Sequence, residues 1–185
     1  GKRPRVPKDY HRTQVSGIEF LAVTDDVRPV LVGEVTNVLG SRKFKQLIAE
    51  GKYEEGAEMG REQVRGGAQI LDVCLQDPDR NEIEDMKKFL DILVKKVKPP
   101  LMIDSTDHRV MEVGLTYCQG KAILNSINLE DGEERFQKVC PLVKTYGAAV
   151  VVGCIDEDKA QGMAVTVERK LAIAGRSYKL LTEKY

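Results

Sequence analysis

Asp104 and Asn125 stand 21 positions apart, and each closes a short apolar run: Leu101-Met102-Ile103 before the aspartate, Ala122-Ile123-Leu124 before the asparagine. A carboxylate only accepts hydrogen bonds, whereas an amide both donates and accepts. Side by side they suit a planar heterocycle with adjacent N–H and C=O groups. Polar residues punctuate the other apolar runs in the same way: Glu34 and Asn37 after the first, Asp72 within the second, Asp156 just beyond the fifth. No nucleophile with a base stands out, because Ser105, Ser126 and the cysteines have no evident histidine partner. The four cysteines (Cys74, Cys118, Cys140, Cys154) form no CxxC pair, and His11 and His108 lie far apart. No metal site or disulfide framework is expected, and the cysteines are read as small buried hydrophobes.

The elements that must carry these side chains are legible as an alternation. Strand-length apolar runs occur at Pro29–Val32, Gln69–Val73, Leu101–Ile103, Ala122–Leu124 and Ala148–Val152, each short enough to be a strand buried on both faces. Helical patterns lie between them. Ile83, Met86, Leu90, Leu93 and Val97 make one amphipathic stripe, and Val167, Leu171, Ala174, Tyr178 and Leu181 another. Gly66-Gly67, Pro99-Pro100, Gly120 and Gly147 mark the helix ends.

One crossover helix per strand predicts a parallel sheet, either open and doubly wound or closed as a (β/α)8 (TIM) barrel. The segment GEVTNVLGSRKF offers neither GxGxxG nor GxxxxGK[ST], so the phosphate turn of the open sheet is missing and the barrel is favoured. A whole barrel takes about 250 residues; in 185 residues the chain is expected to cover about the first five β/α units. Active sites of such barrels sit at the C-terminal ends of the strands, which is where the polar residues fall.

Plainer readings compete at each position. Ser105-Thr106-Asp107 also suits a helix cap, Asn125 a strand end, and Asp72 and Glu34 the orientation of neighbours. Asp156 to Lys159 reads as a solvated loop, and Arg42, Lys43 and Lys45 either form an exposed basic face or meet the anionic tail of a ligand.

Charge excludes some partners. Lys plus Arg (29) equal Asp plus Glu (29), so no net basic field draws the chain to nucleic acid or an anionic membrane. No apolar run approaches the roughly 20 residues of a membrane span, and no signal-peptide pattern follows the N-terminus, so a cytoplasmic location is expected. Residues 1–29, polar and carrying Pro4 and Pro7, read as an N-terminal connector or arm; residues 30–185 read as the partial barrel.

Several segments resemble, in order and spacing, the folate-binding (pterin-binding) module of cobalamin-dependent methionine synthase: GEVTNVLGSRKFKQLI, GGAQILDVCLQD, PLMIDSTD, QGKAILNSINLEDGEERF and KTYGAAVVVGCIDEDKAQGMAVTVERK. VSGIEFLAVTDD resembles the connector that follows the homocysteine-binding module there. The resemblance implies a barrel of the pterin-binding type that holds 5-methyltetrahydrofolate while its N5 methyl passes to cob(I)alamin. A cobalamin-binding domain would present the corrinoid, and a homocysteine-binding domain would precede the barrel. Asp104 and Asn125 match the family's pterin-contacting Asp and Asn; Gly40-Ser41-Arg42 matches its folate-contacting loop, with Asn37 just before it.

A second pterin-contacting Asp and an Asn near N5 are expected beyond Tyr185, so no catalytic residue is assigned within the chain. Two positions depart from the family: Val35 stands where Arg is usual, and Cys74 where Asn is usual, which removes a cation and a paired donor and acceptor. A stand-alone methyltetrahydrofolate:corrinoid protein methyltransferase is the alternative enzyme reading, and a non-catalytic folate-binding fragment the alternative of another class.

Overall fold

The computed structural model describes residues 12–185. Residues 1–11 of the expected connector, with His11, lie outside the described residues. A short antiparallel hairpin, β1 (Gln14–Ser16) and β2 (Phe20–Ala22), precedes the barrel. Five parallel strands follow and pair in chain order: β3 (Val32–Gly33), β4 (Ile70–Val73), β5 (Leu101–Asp104), β6 (Ile123–Leu129) and β7 (Ala149–Asp156). The helices α1 (Arg42–Ala49), α2 (Tyr53–Arg65), α3 (Glu82–Leu93), α4 (His108–Tyr117), α5 (Glu134–Tyr146) and α6 (Val167–Lys179) link or follow them, and a π-helical turn covers Leu180–Lys184. The result is a curled half-barrel, the first five units of the expected (β/α)8 architecture.

Successive residues of a strand point to opposite faces, and this divides the core in two. Leu71, Val73, Leu101, Ile103 and Leu124 face outward into one cluster with Phe44, Met86, Phe89, Leu90, Leu93 and Phe136 from the helices. The intervening residues Ile70, Met102, Ile123 and Ala149 face the lumen and gather with Val15, Leu21 and Val30. Val15 is thus the plug of the barrel floor, only 2% exposed. The hairpin is tied there by Ser16 N–H to the Lys121 carbonyl (3.0 Å) and Glu19 N–H to the Lys98 carbonyl (3.1 Å). Gly17 permits the approach, since a Cβ on it would lie 2.4 Å from the Lys98 and Pro99 carbonyl oxygens. The segment that reads as a connector therefore includes a hairpin packed on the barrel.

Local chemistry sets the helix ends. Ser41, Asn81, Asp107 and Thr166 accept hydrogen bonds from the first-turn N–H groups of α1, α3, α4 and α6, and Glu82, Glu84 and Asp85 place negative charge at the positive end of the α3 dipole. Gly147, left-handed at φ 65°, stops α5.

Three expectations need correction. The first crossover holds two helices, because Gly51 (φ 72°) breaks α1 from α2. The run ending at Asn125 is not a strand end: β6 continues to Leu129, past a register slip between Leu124 and Ile127 where the Asn125–Ser126 peptide is cis. The α6 stripe does not pack inward. Val167, Leu171 and Tyr178 are exposed, while Ile173 and Ser177 are the buried residues of that helix.

Candidate functional site

Register builds the site. Asn37 bridges Cys74 in parallel fashion, and Asp104 lies opposite Asn125. Val73 is opposite Ile103, so Cys74 is the next step along, beside Asp104. Asn37, Cys74, Asp104 and Asn125 thus form one row across four neighbouring segments of the sheet, beyond the ends of β3 and β4, at the end of β5 and within β6. Asp72 points the same way two residues below Cys74 and is fully buried.

The Asn37 amide ties the row together. Its Nδ2 donates to Asp72 Oδ2 (3.0 Å) and to Asp104 Oδ2 (3.4 Å), while its Oδ1 accepts from Leu39 N–H (2.8 Å) and Gly40 N–H (3.2 Å). Asn37 therefore spends both its donor and its acceptor on positioning: it fixes the loop that carries Gly40, Ser41 and Arg42. Gly40 and Arg42 are exposed at the mouth; the Ser41 hydroxyl is occupied as the α1 cap, accepting from Phe44 N–H at 3.2 Å. Lys45, one turn on, pairs with Asp77 (3.3 Å), whereas Arg42 makes no ion pair among the described residues.

Electrostatically the row is acidic. Burial, then the charge of Glu34, raises the Asp104 pKa above the usual carboxylate range, with the Asn37 amide and Cys74 thiol opposing. Burial pushes Asp72 up to about 6 against the Asn37 amide, and the charges of Asp104 and Glu34 add to it. The buried Cys74 thiol is pushed up to about 12, so it is a neutral donor to Asp104 and not a nucleophile. Among the described residues none of Glu34, Asp72 and Asp104 makes an ion pair. Such a surface calls for a ligand rich in N–H donors.

Asp104, Asn125, Ser126 and Asn128 line an open cavity of 240 Å³ together with Thr106 and Arg135, the volume of roughly eight water molecules. Arg135 carries a role that no spacing rule reveals. Its Nε reaches the Ser126 carbonyl (3.1 Å), Nη2 the Ser105 carbonyl (2.7 Å) and Nη1 the Thr106 carbonyl, so one guanidinium ties the chain just past β5 to β6, the strands on which Asp104 and Asn125 ride. Gln63 does the same below, with its Oε1 accepting from Val35 N–H (2.7 Å) and its Nε2 donating to Thr36 Oγ1 (3.4 Å). Contacts across 27 to 30 residues identify both, and for Arg135 one across nine.

Other candidates go elsewhere. Both Asp156 oxygens are 2.6 Å from Arg169 Nη2, and the slipped register sets Asp156 opposite Leu129, beyond the row. Asp107 caps α4 and binds Arg109, and Ser105 Oγ accepts from Asp107 N–H, as the capping reading requires. His108 opens α4 and is not among the residues that line the cavity. The cysteines are all free. Among the described residues no group of three or more His, Cys, Asp or Glu is placed to hold a metal ion, and no helix is long and apolar enough to cross a membrane.

A family model described as pterin binding enzyme matches residues 33–185, from the last residue of β3 to the end of the chain. The match covers the strands and loops that carry the acidic row, and an acceptor-rich row is what the donor edge of a pterin requires. The chain therefore belongs to the pterin binding enzyme family, and its half-barrel is a pterin-binding module.

Proposed function

We propose that the module binds 5-methyltetrahydrofolate and positions its N5 methyl for transfer to cob(I)alamin in methionine synthesis. The observation that carries this reading is the pairing of Asp104 with Asn125 in one row beside the buried carboxylate of Asp72. Asp104 accepts from the N3–H and 2-amino donors of the pterin, Asn125 fixes the ring's rotation about that pair, and Arg135 holds both strand ends in place. The exposed loop from Gly40 to Arg42 lies where the aminobenzoyl-glutamate side would leave the mouth, with Arg42 as the cation for its carboxylates.

Methyl transfer from a tertiary amine needs N5 to gain a proton, because the unprotonated amine would have to leave as a poor, anionic leaving group, whereas the protonated one leaves as a neutral amine. A lumen bearing Glu34 and Asp104 favours positive charge on a bound ring, so the chain contributes positioning and electrostatics and no covalent step. The corrinoid, carried by a cobalamin-binding partner domain, supplies the nucleophile; a homocysteine-binding domain completes the reading. Cys74 in place of an amide keeps a donor to Asp104 but presents no acceptor to the ring.

Titration calorimetry of 5-methyltetrahydrofolate into the full-length protein tests this. Asp104→Asn removes a charged acceptor worth about 1.5–3 kcal/mol, so affinity should fall roughly 10- to 100-fold; equal affinity would remove Asp104 from the site. Transfer of a labelled methyl group to added cob(I)alamin tests the second half.

A further inference from the structure

The folate reading leaves Asp72 without a task, and its surroundings supply one. The side chain is fully buried. Oδ2 accepts from Asn37, but Oδ1, sealed from solvent, has no hydrogen-bond partner. A buried polar atom without a partner is costly, so this oxygen marks an interaction completed only in another state of the site.

The groups that face Asp72 are few. Glu34 and Asn37 come from the chain after β3, Cys74 from just past β4, Asp104 from β5 and Asn125 from β6. Asn37 is already spent on two carboxylates and two backbone N–H groups. Glu34 and Asp104 only accept, and Cys74 turns its thiol to Asp104. Asn125 is the partner left for Oδ1.

An amide can meet a carboxyl in two ways. An ionised Asp72 accepts from the Asn125 N–H groups, which turns the Asn125 carbonyl to the ligand. A neutral Asp72 donates to the Asn125 carbonyl, which turns its N–H groups to the ligand instead. A pterin chooses between them: the N3–H and 2-amino donors that suit Asp104 are flanked on one side by O4 and on the other by N1, both acceptors. The residue beside Asp104 must therefore donate, whichever way the ring lies.

We propose that Asp72 is a positioning residue, a neutral carboxylic acid in the folate complex, which donates its proton to the Asn125 carbonyl and so aims the Asn125 N–H groups at the pterin. This inference rests on the folate reading above. The carboxyl is prepared for the role, since burial, against the Asn37 amide, and the charges of Asp104 and Glu34, against the Asn125 amide, bring its pKa to about 6; at pH 7 the neutral form is drawn from about a tenth of the molecules, a tenfold cost in affinity. Folate binding then raises this pKa further. Affinity is constant below about pH 6, falls by up to tenfold per pH unit between the free and bound values, and levels off above them.

Calorimetric titration of 5-methyltetrahydrofolate into the full-length protein at pH 7, in two buffers of different ionisation enthalpy, counts the protons. The wild type should take up most of one proton on binding. Asp72→Asn, whose amide offers the N–H permanently, should lose that uptake and show a flat affinity between pH 6 and 8. Binding by the wild type without proton uptake overturns the inference with no reliance on the variant. Uptake that survives Asp72→Asn also overturns it, by placing the proton elsewhere, such as on the ligand's N5. A wild type that binds no folate overturns the folate reading and this inference together.

Discussion

Helices α3 and α6 carry the same kind of apolar stripe and meet opposite fates. In α3, Met86, Phe89, Leu90 and Leu93 are all 0% exposed, for the helix lies between α2 and α4 and shares their core cluster with the outward strand residues. In α6, Val167 and Leu171 are 67% and Tyr178 69% exposed. That helix packs on β7 through Ile173, and among the described residues no second helix lies along its stripe. The difference teaches that amphipathic periodicity states that a face requires cover; neighbours decide whether it receives it. The same contrast runs through the strands, where β4, β5 and β6 have partners on both sides and β3 and β7 on one.

Substitution can break or sharpen the contrast. Phe89 packs edge-on against Phe44 with ring centroids 5.1 Å apart, so Phe89→Ala should cost about 3–5 kcal/mol in urea unfolding, whereas Leu171→Ala should lie within about 0.5 kcal/mol of the wild type. Equal losses would show that the α6 stripe is covered in solution. Arg80 binds Asp85 through Nε (2.6 Å) and Nη2 (2.8 Å), and Tyr53 adds its hydroxyl at 2.7 Å. With the Asp85 side chain only 4% exposed, Arg80→Ala strands a buried charge and should cost about 3 kcal/mol, while loss of the exposed Arg176–Glu157 pair should barely register.

The site itself should run the other way. Asp72 titrates near 3.8 when unperturbed and at about 6 in the fold, so folding favours its neutral form: the penalty is absent below pH 4, grows as the pH rises to 6 and stays constant above. Asp72→Asn should therefore stabilise the protein at pH 7 by roughly 2–3 kcal/mol and leave it unchanged at pH 4, read as unfolding midpoints at the two pH values. A variant equally stable at both would show that Asp72 is not strained by its burial. The smallest effect belongs to α6: a Cβ on Gly175 meets nothing within 4 Å, so Gly175→Ala should add up to about 1 kcal/mol through helix propensity alone.

The α/β alternation, the parallel order and the half-barrel were legible because they rest on local signals: apolar runs of strand length, glycines and prolines at helix ends, capping side chains. The placement of Asp104 with Asn125 was legible for a related reason. Both end similar runs, and in a parallel sheet similar runs lie in similar register. Asp72 was harder to judge, because an aspartate inside an apolar run looks alike whether it is solvated or sealed, and only the closure of four neighbouring segments makes it fully buried. Arg135 and Gln63 were invisible, since each acts mainly on groups more than 25 residues away in sequence.

By itself, then, the sequence determined the units, their order and which residues crown them, because strand and helix periods and caps are properties of neighbouring residues. Tertiary structure alone decided that Asn37 is spent on positioning, that Cys74 is a neutral donor, that Asp72 holds an unsatisfied buried oxygen and that the α6 stripe stays open. Burial, desolvation and hydrogen-bond supply depend on what distant segments bring to one place, and no local pattern encodes that.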